Sequence, residues 1–188
     1  MSGAGQGGSI ARGIARLARF NAQGFAEFTA TRQGFLNSLA PLLALPLVAA
    51  LIAAAGGELR AALEGVFSGM VALLAPPAIS HLLAGFWQRQ SLWLRFAVAY
   101  NWCQVPVTLL AVTDVGIVSA ATGGRAQGMQ LAMASVAALA GYWLVLSVFL
   151  ARRGLRISLL KAVVVMLSMN IGTAALVFGP RFVMASAQ

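Results

Sequence analysis

Charge is what this chain most lacks. Of its 188 residues only 9% are Asp, Glu, Lys or Arg, while 60% are hydrophobic and the mean hydropathy is +0.86. Soluble domains carry about a quarter charged residues, so this composition excludes an ordinary water-soluble domain and marks an integral membrane protein. Acids are scarcest, with four in all: Glu27, Glu58, Glu64 and Asp114. No two of them form the carboxylate pair of a general acid–base site, and none falls at the middle of an apolar run, where proton and cation carriers usually place one. Cysteine occurs once, at Cys103, which removes intramolecular disulfides and thiolate metal sites. Histidine also occurs once, at His81, without a Ser-His-acid set around it. Gly123-Gly124 before Arg125 fits neither the dinucleotide nor the P-loop spacing. The expectation is a protein with no catalytic, cofactor or metal site.

What the chain does have is base and length. Thirteen Lys and Arg give a net charge of +9 and a pI near 11.7. In a soluble protein that balance would point to nucleic acid. Here the bases flank apolar runs, where they set orientation and meet anionic lipid headgroups, so no nucleic-acid partner is expected.

Residues 1–9 are rich in Gly and Ser and read as disordered. The segment 10–32 reads as a cationic amphipathic arm, with one helix from Ile10 to Phe28. At 100° per residue Arg12, Arg16, Arg19, Gln23 and Glu27 share an arc of roughly 80°, opposite Ile10, Ile14, Leu17, Phe25 and Phe28. Such a helix suits the membrane interface; a helix docked on its own protein and a mitochondrial presequence, also Arg-rich and acid-poor, are the alternatives. From 33 to 184 the pattern is a five-span membrane domain, followed by a tail at 185–188. The spans fall at about 35–55, 66–87, 93–116, 129–150 and 157–179, each near the ~20 residues that cross hydrocarbon. Gly56-Gly57 ends the first, and Arg60 and Glu64 pair at i,i+4 on a short exposed turn or helix before the second. The loop 119–128 is glycine-rich, and Pro180 and Arg181 close the last span. The fold class expected is therefore all-α, a polytopic membrane helix bundle with five transmembrane helices and an N-terminal interfacial helix.

Orientation follows from the bases. Arg12, Arg16, Arg19, Arg32, Arg89, Arg95, Arg152, Arg153, Arg156 and Lys161 gather on one side, against Arg60, Arg125 and Arg181 on the other. The positive-inside rule then puts the N-terminus in the cytoplasm and the C-terminus outside, across the inner (cytoplasmic) membrane.

Polar residues inside the spans are the candidate site. From Trp93 and Arg95 at its cytoplasmic anchor, the third span carries Tyr100, Asn101, Trp102, Cys103 and Gln104 in one row, followed by Pro106, with Asp114 near its outer end. The 1.5 Å rise puts His81 roughly 7 Å, and Tyr100 and Asn101 about 5 Å, to the cytoplasmic side of their span centres. A hydrogen bond from His81 to Tyr100 or Asn101 is therefore geometrically reasonable. Tyr142 and Trp143 lie slightly cytoplasmic of centre, and Ser168 and Asn170 near the middle. His81, Tyr100, Asn101, Gln104, Tyr142 and Asn170 thus form one intramembrane polar layer. Within the third span Asn101, Gln104 and Thr108 share a face, and Tyr100, Cys103, Val107 and Asp114 a second. A substrate or proton path would use His81, Asn101, Gln104 and Asn170. The preferred reading is interhelical hydrogen bonding, worth only ~0.6 kcal/mol per pair on average, because no acid joins them.

Five of the six prolines, Pro41, Pro46, Pro76, Pro77 and Pro106, lie inside spans one to three, where each removes a backbone donor. Ala134 to Ala138 and Ala137 to Gly141 make small-xxx-small steps that favour tight packing. With Gly34-Phe35 leading into the first span, prolines in the second and Tyr100-Asn101-Trp102 in the third, the chain resembles the Yip-domain family of small five-helix membrane proteins. It is closer still to bacterial inner-membrane proteins of that layout, over about 34–179. The resemblance implies a cytosolic N-terminus and, in the eukaryotic branch, small Rab-type GTPase partners. The long N-terminal cytosolic segment and acidic-aromatic-glycine motif of that branch are missing, so GTPase binding is not carried over.

The function expected is that of a non-enzymatic membrane protein, an accessory or organising subunit or a homo-oligomer. Its partners are the lipid bilayer, anionic headgroups and other membrane chains or itself. The alternative is a small transporter or channel.

Overall fold

The computed structural model describes the backbone of residues 3–123 and 125–186 and the side chains of 9–118, 120–123 and 125–179. It is helical, with no strand among the described residues. Helix α1 (Gly3–Ala18) is followed by a short 3-10 helix (Ala22–Glu27), then α2 (Arg32–Ala55), α3 (Leu59–Phe86), α4 (Gln90–Thr122), α5 (Ala126–Gly154) and α6 (Leu159–Ser186). The last five are long and apolar enough to cross a membrane. Arg181 and the tail 185–188 lie outside the residues with described side chains.

The helices extend beyond the expected spans, because helix continues where hydropathy stops. Arg60 and Glu64 pair at 3.0 Å on the first turns of α3 itself. The loop expected at 119–128 shrinks, since α4 runs to Thr122 and α5 starts at Ala126. At 33 residues α4 is about 50 Å long, well over the ~30 Å of hydrocarbon.

Contacts fix the arrangement. Phe35 near the start of α2 lies against Trp93 near the start of α4 (5.4 Å between ring centroids), and Lys161 on the first turn of α6 sits 5.5 Å over Trp87 after α3. Odd and even helices therefore alternate in direction. Around the bundle the order is α2, α3, α6, α5, α4 and back to α2, so the chain's neighbours in space are not all neighbours in sequence. The main core lies at the end where the arm docks, around Phe96, Val98, Tyr100, Leu146, Leu150, Leu155 and Val165. Away from that end large apolar side chains face outward, including Leu51, Ile52, Phe67, Leu131 and Met133. That is the surface a lipid solvent favours.

The arm departs most from expectation. It is not one helix over 10–28. Backbone of residues 3–9 is helical where composition suggests disorder, and α1 then stops at Ala18. Phe20 takes φ 57°, the Asn21 amide bonds back to the Arg16 carbonyl at 2.9 Å, and the Asn21 side chain accepts from Gln23 N at 2.9 Å to start the 3-10 turn. The chain folds back on α1. Two glycines permit this: a Cβ on Gly24 would sit 2.7 Å from the Gly13 carbonyl oxygen, and one on Gly13 2.8 Å from the Phe28 ring. The hairpin is closed by Arg16 to Glu27 (2.7 Å) and by Ser9 Oγ donating to the Glu27 carbonyl (2.9 Å). In a straight helix Arg16 and Glu27 would be about 16 Å apart. A helical wheel cannot see such a break, because the reversal leaves the apolar residues on one side.

Candidate functional site in the middle of the bundle

Polar groups in an apolar interior have to be satisfied or aimed at something that satisfies them. Five of the six expected members of the polar layer divide into two sets, and the sixth, His81, stands apart.

Asn101 and Tyr142 are spent on structure. Asn101, 1% exposed, donates from Nδ2 to Ser38 Oγ on α2 at 3.0 Å, and Ser38 donates to the Phe35 carbonyl of its own helix at 2.7 Å. Tyr142 donates its hydroxyl to the Ala18 carbonyl at 2.7 Å, which pins the end of α1 to α5. Phe20 supports that joint, edge-on to Tyr142 at 6.1 Å and to Phe149 at 5.5 Å. Counting along the helix does not give the direction in which Asn101 points.

Tyr100 and Gln104, one helical turn apart on α4, face a cavity of about 360 Å³ between α3, α4, α5 and α6. Ala72 and Pro76 of α3, Trp143 of α5, and Met169, Asn170 and Thr173 of α6 complete most of its wall. Tyr100 packs on Trp143 with ring centroids 4.9 Å apart and is held from behind by Phe96 at 5.7 Å. Asn170 donates its amide to the Met166 carbonyl at 2.8 Å. Thr173 Oγ1 is buried without a hydrogen-bond partner among the described residues. Among the described residues the cavity holds amide and hydroxyl groups and no charged side chain, so the chemistry they offer is that of neutral hydrogen bonding.

His81 corrects the expectation outright: it bonds to neither Tyr100 nor Asn101. It points outward, exposed, and its ring meets Trp93 edge-on at 4.6 Å. The residue facing inward at that level is Ser80, fully buried, which accepts from Trp93 Nε1 at 3.1 Å and donates to the Pro77 carbonyl at 3.0 Å. One residue is 100° of rotation, and α3 turns its main faces to α2 and α6 rather than to α4. The path imagined through His81, Asn101, Gln104 and Asn170 is therefore not assembled; Gln104 and Asn170 meet, with Tyr100 and Thr173 in place of the other two. The face expected from Asn101 to Gln104 is split likewise, one residue serving α2 and the other the cavity.

Asp114 also differs from a helix-end residue. Helix α4 continues about two turns past it, and the carboxylate accepts a hydrogen bond from Ser135 of α5. Cys103 is buried, as expected for a small thiol in a core. Ala134, Ala137, Ala138 and Gly141 are exposed, so the small-residue steps of α5 are not used within the chain. Of the basic arm, Arg12 and Arg19 face outward, and Arg16 is tied to Glu27. The apolar side of the arm covers the bundle end, with Leu17 at 0% and Phe25 at 3% exposure.

Ser38, Ser80 and Thr173 were missed by sequence reasoning. Thr173 lies three residues after Asn170, a spacing that shares a helix face. Ser38 lies six residues into α2 and Asn101 eleven into α4, so a count along each helix does not pair them. Serine and threonine often satisfy themselves on their own helix, which is why neither stands out.

Compared with family models, curated proteins and solved structures, the chain matches none of them.

Proposed function

We propose that this is a multi-pass protein of the cytoplasmic membrane, with its arm on the cytoplasmic side, that acts without chemistry of its own. It serves as an accessory or organising subunit, or as a homo-oligomer, through helix packing. The observation that carries this reading is the use of Asn101, Ser80, Trp93 and Tyr142: each is spent on a hydrogen bond that ties one element to another. Outward-facing apolar side chains along α2 to α6 support placement in lipid. The layout fits the resemblance to the Yip-like five-helix proteins, which we keep as part of the proposal. Cross-linking in cells followed by purification in mild detergent tests the function. Recovery of defined neighbouring chains, or of a homo-oligomer, is expected; a lone monomer with no cross-linked neighbours refutes it. For orientation, a reporter active only in the cytoplasm, fused after Gln188, should be silent.

The cavity favours a second reading, a small transporter or channel for an uncharged polar solute. Cysteines placed at Gln104, Asn170 and Thr173 in a Cys103→Ser background test it. Labelling of all three by water-soluble thiol reagents supports a path, and resistance from both sides removes it.

A further inference from the structure

The α5–α6 turn combines three arginines with a backbone conformation that does not require them. Helix α5 ends in Arg152-Arg153-Gly154, and with Arg156 and Ile157 these arginines line a concave space of about 390 Å³. No acid lines it, and neither of the two ion pairs among the described residues includes these arginines. All three are exposed.

Arg152 and Arg153 have an ordinary explanation in the negative end of the helix dipole. Arg156 does not. It lies past the helix end with φ 53°, in the left-handed region, where the Ile157 amide returns to the Arg152 carbonyl at 3.2 Å. Glycine is the residue that fits such a helix stop without steric cost. Glycine does hold the left-handed position in both turns at the opposite end of the bundle, Gly57 (φ 85°) and Gly123 (φ 58°). At the arm end the same position holds Phe20, Gln88 and Arg156. Phe20 uses its ring as the joint under Tyr142 and Phe149, so a side chain kept there against backbone preference has a purpose.

The turn is also closely packed. Leu155 is fully buried, and a Cβ on Gly154 would meet Phe96 at 3.1 Å and Phe25 at 3.2 Å, so arm and α4 both press on it. Guanidinium groups match phosphate oxygens in charge and in fork geometry. Beside them Ile157 is half-buried, and Leu159 and Leu160 on the first turn of α6 are exposed. An apolar lip next to a triple-arginine seat fits a molecule that is anionic at one end and hydrocarbon at the other.

We propose that Arg152, Arg153 and Arg156 form a binding site for the phosphate of an anionic lipid headgroup, with its acyl chain along Leu159 and Leu160. The site rests on the membrane reading above and sharpens it from a general basic surface to one seat. The test is native mass spectrometry of the full chain in zwitterionic detergent, titrated with phosphatidylglycerol or phosphatidylcholine. Wild type is expected to retain one phosphatidylglycerol in preference to phosphatidylcholine. Affinity should fall about fivefold in R156G and about 25-fold in R152Q/R153Q, at roughly fivefold per arginine near a headgroup. The control R12Q/R19Q, which removes two exposed bases of the arm, should bind as wild type. Because glycine suits the turn, R156G should unfold at or above the wild-type midpoint, which separates lost binding from lost fold. Wild-type binding by R156G, or an equal loss in R12Q/R19Q, overturns the site. Displacement of the lipid by millimolar inorganic phosphate overturns the lipid assignment in favour of a free phosphate. Failure of the wild-type chain to enter phosphatidylcholine vesicles would instead count against the membrane reading itself.

Discussion

The bond between Asn101 and Ser38 makes the most informative perturbation, because its two ends are not equivalent. Asn101 Nδ2 has Ser38 Oγ at 3.0 Å, whereas Ser38 keeps a second bond, to the Phe35 carbonyl, whatever happens to Asn101. Both residues are buried. Ser38→Ala removes the acceptor and leaves an amide donor in a dry interior, at a cost of ~1–3 kcal/mol. Asn101→Leu removes the polar group altogether, replaces it with a side chain of similar size, and leaves Ser38 satisfied on its own helix. It should cost less than ~1 kcal/mol. In the Ser38→Ala background, Asn101→Leu should therefore be stabilising, by about 1 kcal/mol, since it removes the orphaned donor. Equilibrium unfolding by SDS in mixed micelles, followed by circular dichroism, measures the cycle. If Asn101→Leu is the more damaging single change, or if the two substitutions add without coupling, the α2–α4 contact is not as described.

Four further outcomes follow from the arm and the core. Tyr142→Phe deletes the hydroxyl that holds the Ala18 carbonyl and should weaken docking of the arm by about 1 kcal/mol, read as roughly fivefold faster proteolysis within residues 3–28 while the bundle stays intact. Gly24→Ala should be worse, because its Cβ would meet backbone, not a movable side chain, at 2.7 Å; amide exchange in α1 should rise to that of an undocked helix. Breaking the Arg16–Glu27 pair with Glu27→Gln should cost under ~1 kcal/mol and less still in high salt, since Arg16 is 40% exposed. Cys103, buried in the native bundle, should react with a bulky maleimide only after denaturation.

Much of the fold is legible in the residues, for one physical reason. Hydrocarbon length and charge placement act locally, so five apolar runs and a basic side are visible without knowing what touches what. The number of long helices and their alternation follow from counting along the chain. The arm was only half legible: its two-sided character survives, with Leu17, Phe25 and Phe28 inward and Arg12 and Arg19 outward, but its reversal at Phe20 does not show in a wheel.

What the tertiary structure alone decided is direction around each helix axis. Ring order α2–α3–α6–α5–α4 arises from which faces pack, and packing depends on side-chain shape across helices distant in sequence. That order turned Ser80 inward and His81 outward, gave Asn101 to Ser38, and gathered Tyr100, Gln104, Asn170 and Thr173 around one cavity. A residue's depth is a sum of 1.5 Å steps along its own helix. Its partner is a property of the whole bundle, and no step count contains it.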